Sequence, residues 1–105
     1  MVVSSTSTDL VKVGSHLDVR NVARVRTTIS SVIDTATGDV LVDLAGLEII
    51  DAAGLAMLTA AHLRAERAGH RLVLGNCTDE IRRVLAVTGL TRVLNLDRSH
   101  IQLSA

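Results

Sequence analysis

The chain has 105 residues (11.1 kDa), 48% of them hydrophobic, with no Phe, Tyr, Trp or Pro and with 11 basic side chains balanced by 11 acidic ones. That size implies one small domain whose core is built from Val, Leu, Ile and Ala. A neutral chain has no electrostatic footprint for DNA or an anionic membrane, and one without aromatics lacks the stacking platforms that hold single-stranded nucleic acid.

In chain order, Val2-Val3 suggests a short edge strand, followed by a Ser/Thr-rich stretch. Leu10-Val11-Lys12-Val13 reads as a strand ended by Gly14-Ser15. Leu17-Asp18 turns the chain towards Asn21, expected to cap a helix in which Val22, Val25, Ile29, Val32 and Ile33 recur at helical spacing. Gly38 suits a helix C-terminus or turn. Val40-Leu41-Val42-Asp43-Leu44 is nearly continuous in apolar residues, as expected of a central strand covered on both faces. Residues 45–50 read as a connection, and a helix follows over 52–68 with Leu55, Leu58, Ala61, His62 and Ala65 on its apolar side and Gly69 at its end. Leu72-Val73-Leu74 is a buried strand. Thr78 then caps a helix with Asp79 and Glu80 in its first turn, core residues Ile81, Val84 and Leu85, and a stop at Gly89. Val93-Leu94-Asn95-Leu96 reads as the last strand, and residues 98–105 as a tail with a closing turn at 101–103. Strands alternating with helices indicate an α/β domain, a mixed and mostly parallel sheet of four to five strands with helices packed against it.

Asp51-Ala52-Ala53-Gly54 carries the most functional information. Asp51 stands where a helix N-cap is expected, and the small residues after it leave backbone N–H groups open to an anion or to a partner's polar group. Other chemistry is sparse. There is no P-loop, no G-x-G-x-x-G and no G-x-S-x-G elbow, and Asp43 has no companion acid or nucleophile at useful spacing, so no enzyme is expected. His16, His62, His70 and His100 lack the spacing of a metal site, and no cofactor is implied. Thr59 and Thr78 are alternative phosphate acceptors, although Thr78 reads more simply as a cap and Thr88 as a helix-end hydrogen bonder. Arg64, Arg67, Arg71, Arg82 and Arg83 read as solvated or as partners for acidic groups. Cys77, the single cysteine, excludes an internal disulfide and reads as a small buried or half-buried thiol. No apolar run approaches the ~20 residues of a membrane span, and residues 1–8 lack the features of a secretory leader, so a cytoplasmic location is expected.

The order of elements, together with Val42-Asp43-Leu44, Ile50-Asp51-Ala52-Ala53-Gly54-Leu55, Leu72-Val73-Leu74 and the run from Ile81 to Leu90, resembles a STAS domain of the bacterial anti-sigma factor antagonist kind. Leu17-Asp18 is similar to that family's Leu-Asp, although Ser15 stands where a Gly is usual. The resemblance implies a single STAS domain over residues 1–105. Its partner would be an anti-sigma factor that is also a serine-protein kinase, and binding would release a sigma factor. It implies partner-binding residues Asp18, Asn21, Asp51, Ala52, Ala53, Gly54 and Met57. The phosphorylated serine of the family falls on Ala52, which has no hydroxyl, so the usual phosphate switch is expected to be missing. Two other readings stay open: a STAS regulatory subunit of an ABC-type lipid transport system, and a small-ligand or anion sensor.

Overall fold

The computed structural model describes residues 8–97; the strand expected at Val2-Val3 and the turn expected at 101–103 lie outside them. The elements described are β1 (Thr8–Lys12), β2 (His16–Leu17), α1 (Val22–Thr35), β3 (Asp39–Asp43), β4 (Ile49–Ile50), α2 (Ala52–Arg67), β5 (Leu72–Gly75), α3 (Asp79–Val87), a short 3₁₀ turn (Leu90–Arg92) and β6 (Asn95–Asp97). A four-stranded sheet runs β1-β3-β5-β6, and β2 pairs with β4 in a separate two-stranded sheet. Every pairing among the described residues is parallel, so over this range the sheet expected to be mixed is a parallel one.

The strand order places the core. β1, β3, β5 and β6 are neighbours in chain order, each step crossing over through α1, α2 or α3. Such crossovers are right-handed almost without exception, so three steps in one direction put all three helices on one face. Burial follows: Val11, Val40, Val42, Leu72 and Leu74 are in the core, while Leu10, Lys12 and Asp39 on alternate positions are exposed. Val25, Ile29 and Ile33 of α1 and Met57, Leu58, Ala61 and Ala65 of α2 complete the core, at the i, i+4 and i+3, i+4 spacings of an amphipathic helix. Val, Leu, Ile and Met dominate this layer, each worth roughly 1.5–3 kcal/mol when fully buried, with His62 the buried polar exception on α2.

Several local expectations change. The stretch 45–50 is more than a connection, because Ile49–Ile50 forms β4 against β2. The last strand begins later than Val93: Leu90–Arg92 coils into a 3₁₀ turn, Leu94 is buried behind it, and pairing starts at Asn95. Gly38 is not among the left-handed residues, and α1 ends at Ala36 in an extended conformation. Leu55 and Val84 are half-buried at the margin of the core. Arg64 is paired across the surface with Asp34 at 3.0 Å. The expected stop at Gly69 has a clear basis: Gly69 has φ +83, its N–H donates to the Glu66 carbonyl and the His70 N–H to the Ala65 carbonyl, a Schellman arrangement that favours glycine.

Candidate docking site

β2 and β4 are two residues each, but they bring two distant loops together. The carbonyl of Ser15 accepts from the Glu48 and Ile49 N–H groups, and the carbonyl of Leu17 accepts from the Asp51 N–H at 3.3 Å. The turn 18–21 therefore lies beside the start of α2. Asp51 joins them: its Oδ1 accepts from the Gly54 N–H at 2.9 Å, capping α2, and its Oδ2 accepts from the Val19 N–H at 3.2 Å, holding the turn. The helix cap expected of Asp51 is thus one half of a two-point clamp.

The turn is braced from within. The Asn21 side chain makes no cap bond to α1; its Oδ1 accepts from the Asp18 N–H at 3.0 Å and its Nδ2 donates to the His16 carbonyl at 2.9 Å. Asn21 does stand at the N-cap position of α1, with its carbonyl accepting from the Val25 N–H, but its side chain caps no helix N–H because the turn offers it nearer partners. The Asp18 carboxylate accepts from the Arg20 backbone N–H at 3.0 Å and from the Arg20 guanidinium at 2.7–3.1 Å. That hydrogen bonding holds the Asp18 carboxyl below its ordinary range, with burial opposing. The sign follows from linkage. A carboxyl depressed in the folded state stabilises it above the unfolded pKa of about 3.9, and that contribution is lost as pH falls through the lower folded value. Asp18→Asn is therefore expected to lower Tm near neutrality, where the contribution is present, and to flatten the acid limb of a Tm-against-pH curve below about pH 4, where the unaltered protein loses it. An unchanged acid limb would refute the assignment.

These contacts sort the expected site residues. Asp18, Asn21, Gly54 and Met57 are buried, Met57 within the core at 5% exposure, so they support the surface from beneath and offer a partner little to touch. Ala52 is exposed, and Ala53 and Asp51 are half-buried. Around them stand residues that sequence reading passed over: Val19, 73% exposed, Ile49, 54% exposed, and the outward Arg20 guanidinium. A valine inside the otherwise polar turn Asp18-Val19-Arg20-Asn21 was the available signal. Ile49 also lines an open groove of about 390 Å³ between β4 and α3, with Ile50 and Val84 beside Glu48 and Glu80. The start of α2 thus presents a small aliphatic surface on a braced backbone, with no hydroxyl at 52 or 53.

The remaining candidates are occupied elsewhere. Thr59 Oγ1 donates to the Leu55 carbonyl, Thr78 Oγ1 accepts from the Ile81 N–H, and Thr88 Oγ1 donates to the Val84 carbonyl. The Asp43 carboxylate accepts from the Ala45 N–H and from Asn76 Nδ2, which pins the loops after β3 and β5. His62 is buried with Nε2 3.5 Å from Glu66 Oε2. Burial pushes the Cys77 thiol up, against a smaller pull from Arg82. Among the described residues, no helix is long and apolar enough to cross a membrane.

Comparison with known proteins agrees with this architecture. The family model described as "Mlab, STAS domain" matches residues 1–96, and the chain belongs to the STAS family. An anti-sigma-factor antagonist (STAS) domain protein from Planctomyces limnophilus is 19% identical, with TM-score 0.74 over 90% of this chain and 87% of that one. The Bacillus cell fate determinant SpoIIAA in its phosphorylated form is 21% identical, with TM-score 0.67 over 99% of this chain and 93% of that one. A sulfate transporter family protein from Wolinella succinogenes is 20% identical, with TM-score 0.76 over 90% of this chain and 76% of that one. At these identities the likeness is one of fold. Comparison with curated proteins gives no match.

Proposed function

We propose that this chain is a non-catalytic, cytoplasmic docking module, an anti-sigma factor antagonist whose partner is an anti-sigma factor of the serine-kinase kind. The observation that carries the reading is the clamp at Asp51, which ties the backbone of the exposed Val19 to the residue preceding the exposed Ala52. The name anti-sigma factor antagonist, carried by SpoIIAA and other proteins of this fold, supports it. In this reading Asp18, Asn21, Gly54 and Met57 shape the surface, while Asp51, Ala52 and Ala53 reach the partner together with Val19 and Ile49. Because position 52 is alanine, the surface stays competent to bind whether or not the partner has used its ATP. A phosphate there would add about −1.5 to −2 charge where the partner packs.

The test is co-purification from the native host, followed by titration of the captured partner. Ala52→Asp is expected to leave the fold intact, since an acid suits a helix N-terminus, and to weaken the complex at least about tenfold, or 1.4 kcal/mol. Ala52→Ser is expected to take up phosphate on incubation with the partner and ATP, while the unaltered protein takes up none within residues 47–59. Unchanged affinity for Ala52→Asp would put the interface elsewhere. A second reading is favoured by the "Mlab" description of the matching family model: a small regulatory subunit of an ABC-type lipid transport system. Capture of a transporter ATPase in place of a sigma regulator would select it.

A further inference from the structure

The face of the main sheet opposite the helices is not covered by any described element. All-parallel sheets are nearly always covered on both faces. Strand register puts Leu10, Leu41 and Val73 in one row across this face, with Asp39 and Arg71 in the next row towards the strand starts and Lys12 in the next row towards their ends. Leu10 is 52% exposed, Leu41 is half-buried and Val73 is buried at 8%. Asp39, Leu41, Arg71 and Val73 line a common shallow depression together with Leu96 and Asp97. Among the described residues, no ion pair involves Asp39, Arg71 or Lys12.

We propose that this face is the homodimer interface, its occupant a second copy of the chain. The argument is charge complementarity under a two-fold axis. Let the axis run along the strands midway between β3 and β5. Rotation then places β3 of one copy over β5 of the other and keeps each row at its own height. Leu41 meets Val73 of the second copy. Asp39 meets Arg71 of the second copy, and the symmetric Arg71–Asp39 contact forms as well. Leu10 falls on the margin against Asn95. The two sheets would pack in the aligned manner about 10 Å apart. An isologous contact of this kind needs one patch that complements itself, and an apolar row beside an acid and a base on adjacent strands is such a patch. The alternative axis, across the strands, would set Asp39 against Asp43 and is disfavoured by like charge.

The area sets the strength. Four strands about 4.8 Å apart and three to five residues long present less than about 300 Å². A standard interface buries about 800 Å² per partner. Association is therefore weak and concentration-dependent, with a dissociation constant between about 10 μM and 1 mM.

Sedimentation equilibrium of the full chain from about 5 μM to 1 mM tests the proposal. Dimer is expected to accumulate across this range, and to dissociate at least partly on raising salt. Arg71→Glu and Asp39→Arg are each expected to weaken the dimer about tenfold or more, because each sets like charges opposite each other. The double variant carrying both swaps is expected to return to within about threefold of the unaltered protein, since the pair is restored with its signs reversed. Both residues are exposed, so circular dichroism should show all three variants folded. A protein that stays monomeric to 1 mM overturns the proposal, whether residues 98–105 or an unrelated partner then covers the face. Single swaps that dimerise as the unaltered protein does, or a double swap with no rescue, overturn it too. Loss of the dimer would leave binding at Ala52 unaltered, since that surface lies at the start of α2 and not on the sheet.

Discussion

Gly54→Ala is expected to cost about 3 kcal/mol and to lower Tm by at least 10 °C, or roughly 4–8 °C per kcal/mol in a domain of this size. In an exposed helix the same change gains about 1 kcal/mol, because glycine is a poor helix former. Here the backbone of α2 lies against the carbonyl of Leu17, and a Cβ at 54 would fall on that oxygen and within 2.9 Å of Ile50 Cγ1. A carbonyl in a paired strand cannot swing away as the end of a long side chain can. Either β2 separates from β4 or the first turn of α2 shifts, and in both cases the Asp51 clamp is disturbed. Thermal and urea unfolding measure the effect; an unchanged or raised Tm would show that the two backbones are not in contact.

The second large effect is expected at Asp51. Asp51→Ala removes the α2 cap, worth about 1 kcal/mol, and also the acceptor for the Val19 N–H, for a combined loss of about 2 kcal/mol. The Asp51→Asn variant separates the two parts. Its amide oxygen can still cap α2 through the Gly54 N–H, but its amide nitrogen cannot accept from Val19. Asp51→Asn is therefore expected to keep most of the helix stability while the turn 18–21 loosens, seen as faster amide exchange at Val19 and Arg20 with little change in α2. Equal protection at Val19 in both proteins would show that the 3.2 Å contact does no holding.

Under the proposed function, the Asp51 clamp would let the surface work without a hydroxyl. Binding in this reading depends on a rigid backbone that presents Val19 and Ala52 together. A rigid surface loses less conformational entropy on association than a mobile one. If the proposed antagonist role holds, regulation would fall to the protein's abundance or to its partner's state. The site offers no group for covalent modification at 52 or 53.

Much of the molecule was legible along the chain. Period-3.6 spacing in 22–33 and 55–65 specified α1 and α2, the apolar runs 40–44 and 72–74 specified the two central strands, and Gly69 and Thr78 marked a helix end and a helix start. These signals are local, because caps and amphipathic periods depend on residues within one or two turns of each other. β4 was missed since a two-residue strand has no period, and it exists only because β2, 33 positions away in register, pairs with it. Asn21 is the N-cap residue the sequence indicated, but the destination of its side chain was not legible for a related reason: whether it turns to α1 or to the loop depends on how the turn 18–21 closes. The sequence by itself determined the fold class, the helix start at Asp51 and the missing hydroxyls at 52 and 53. Only the tertiary structure decided that Asp51 holds two segments, that Asp18, Asn21 and Met57 lie beneath the surface, and that Val19 and Ile49 stand on it. Exposure and long-range hydrogen bonding are properties of packed neighbours far apart in the chain, and no local pattern encodes them.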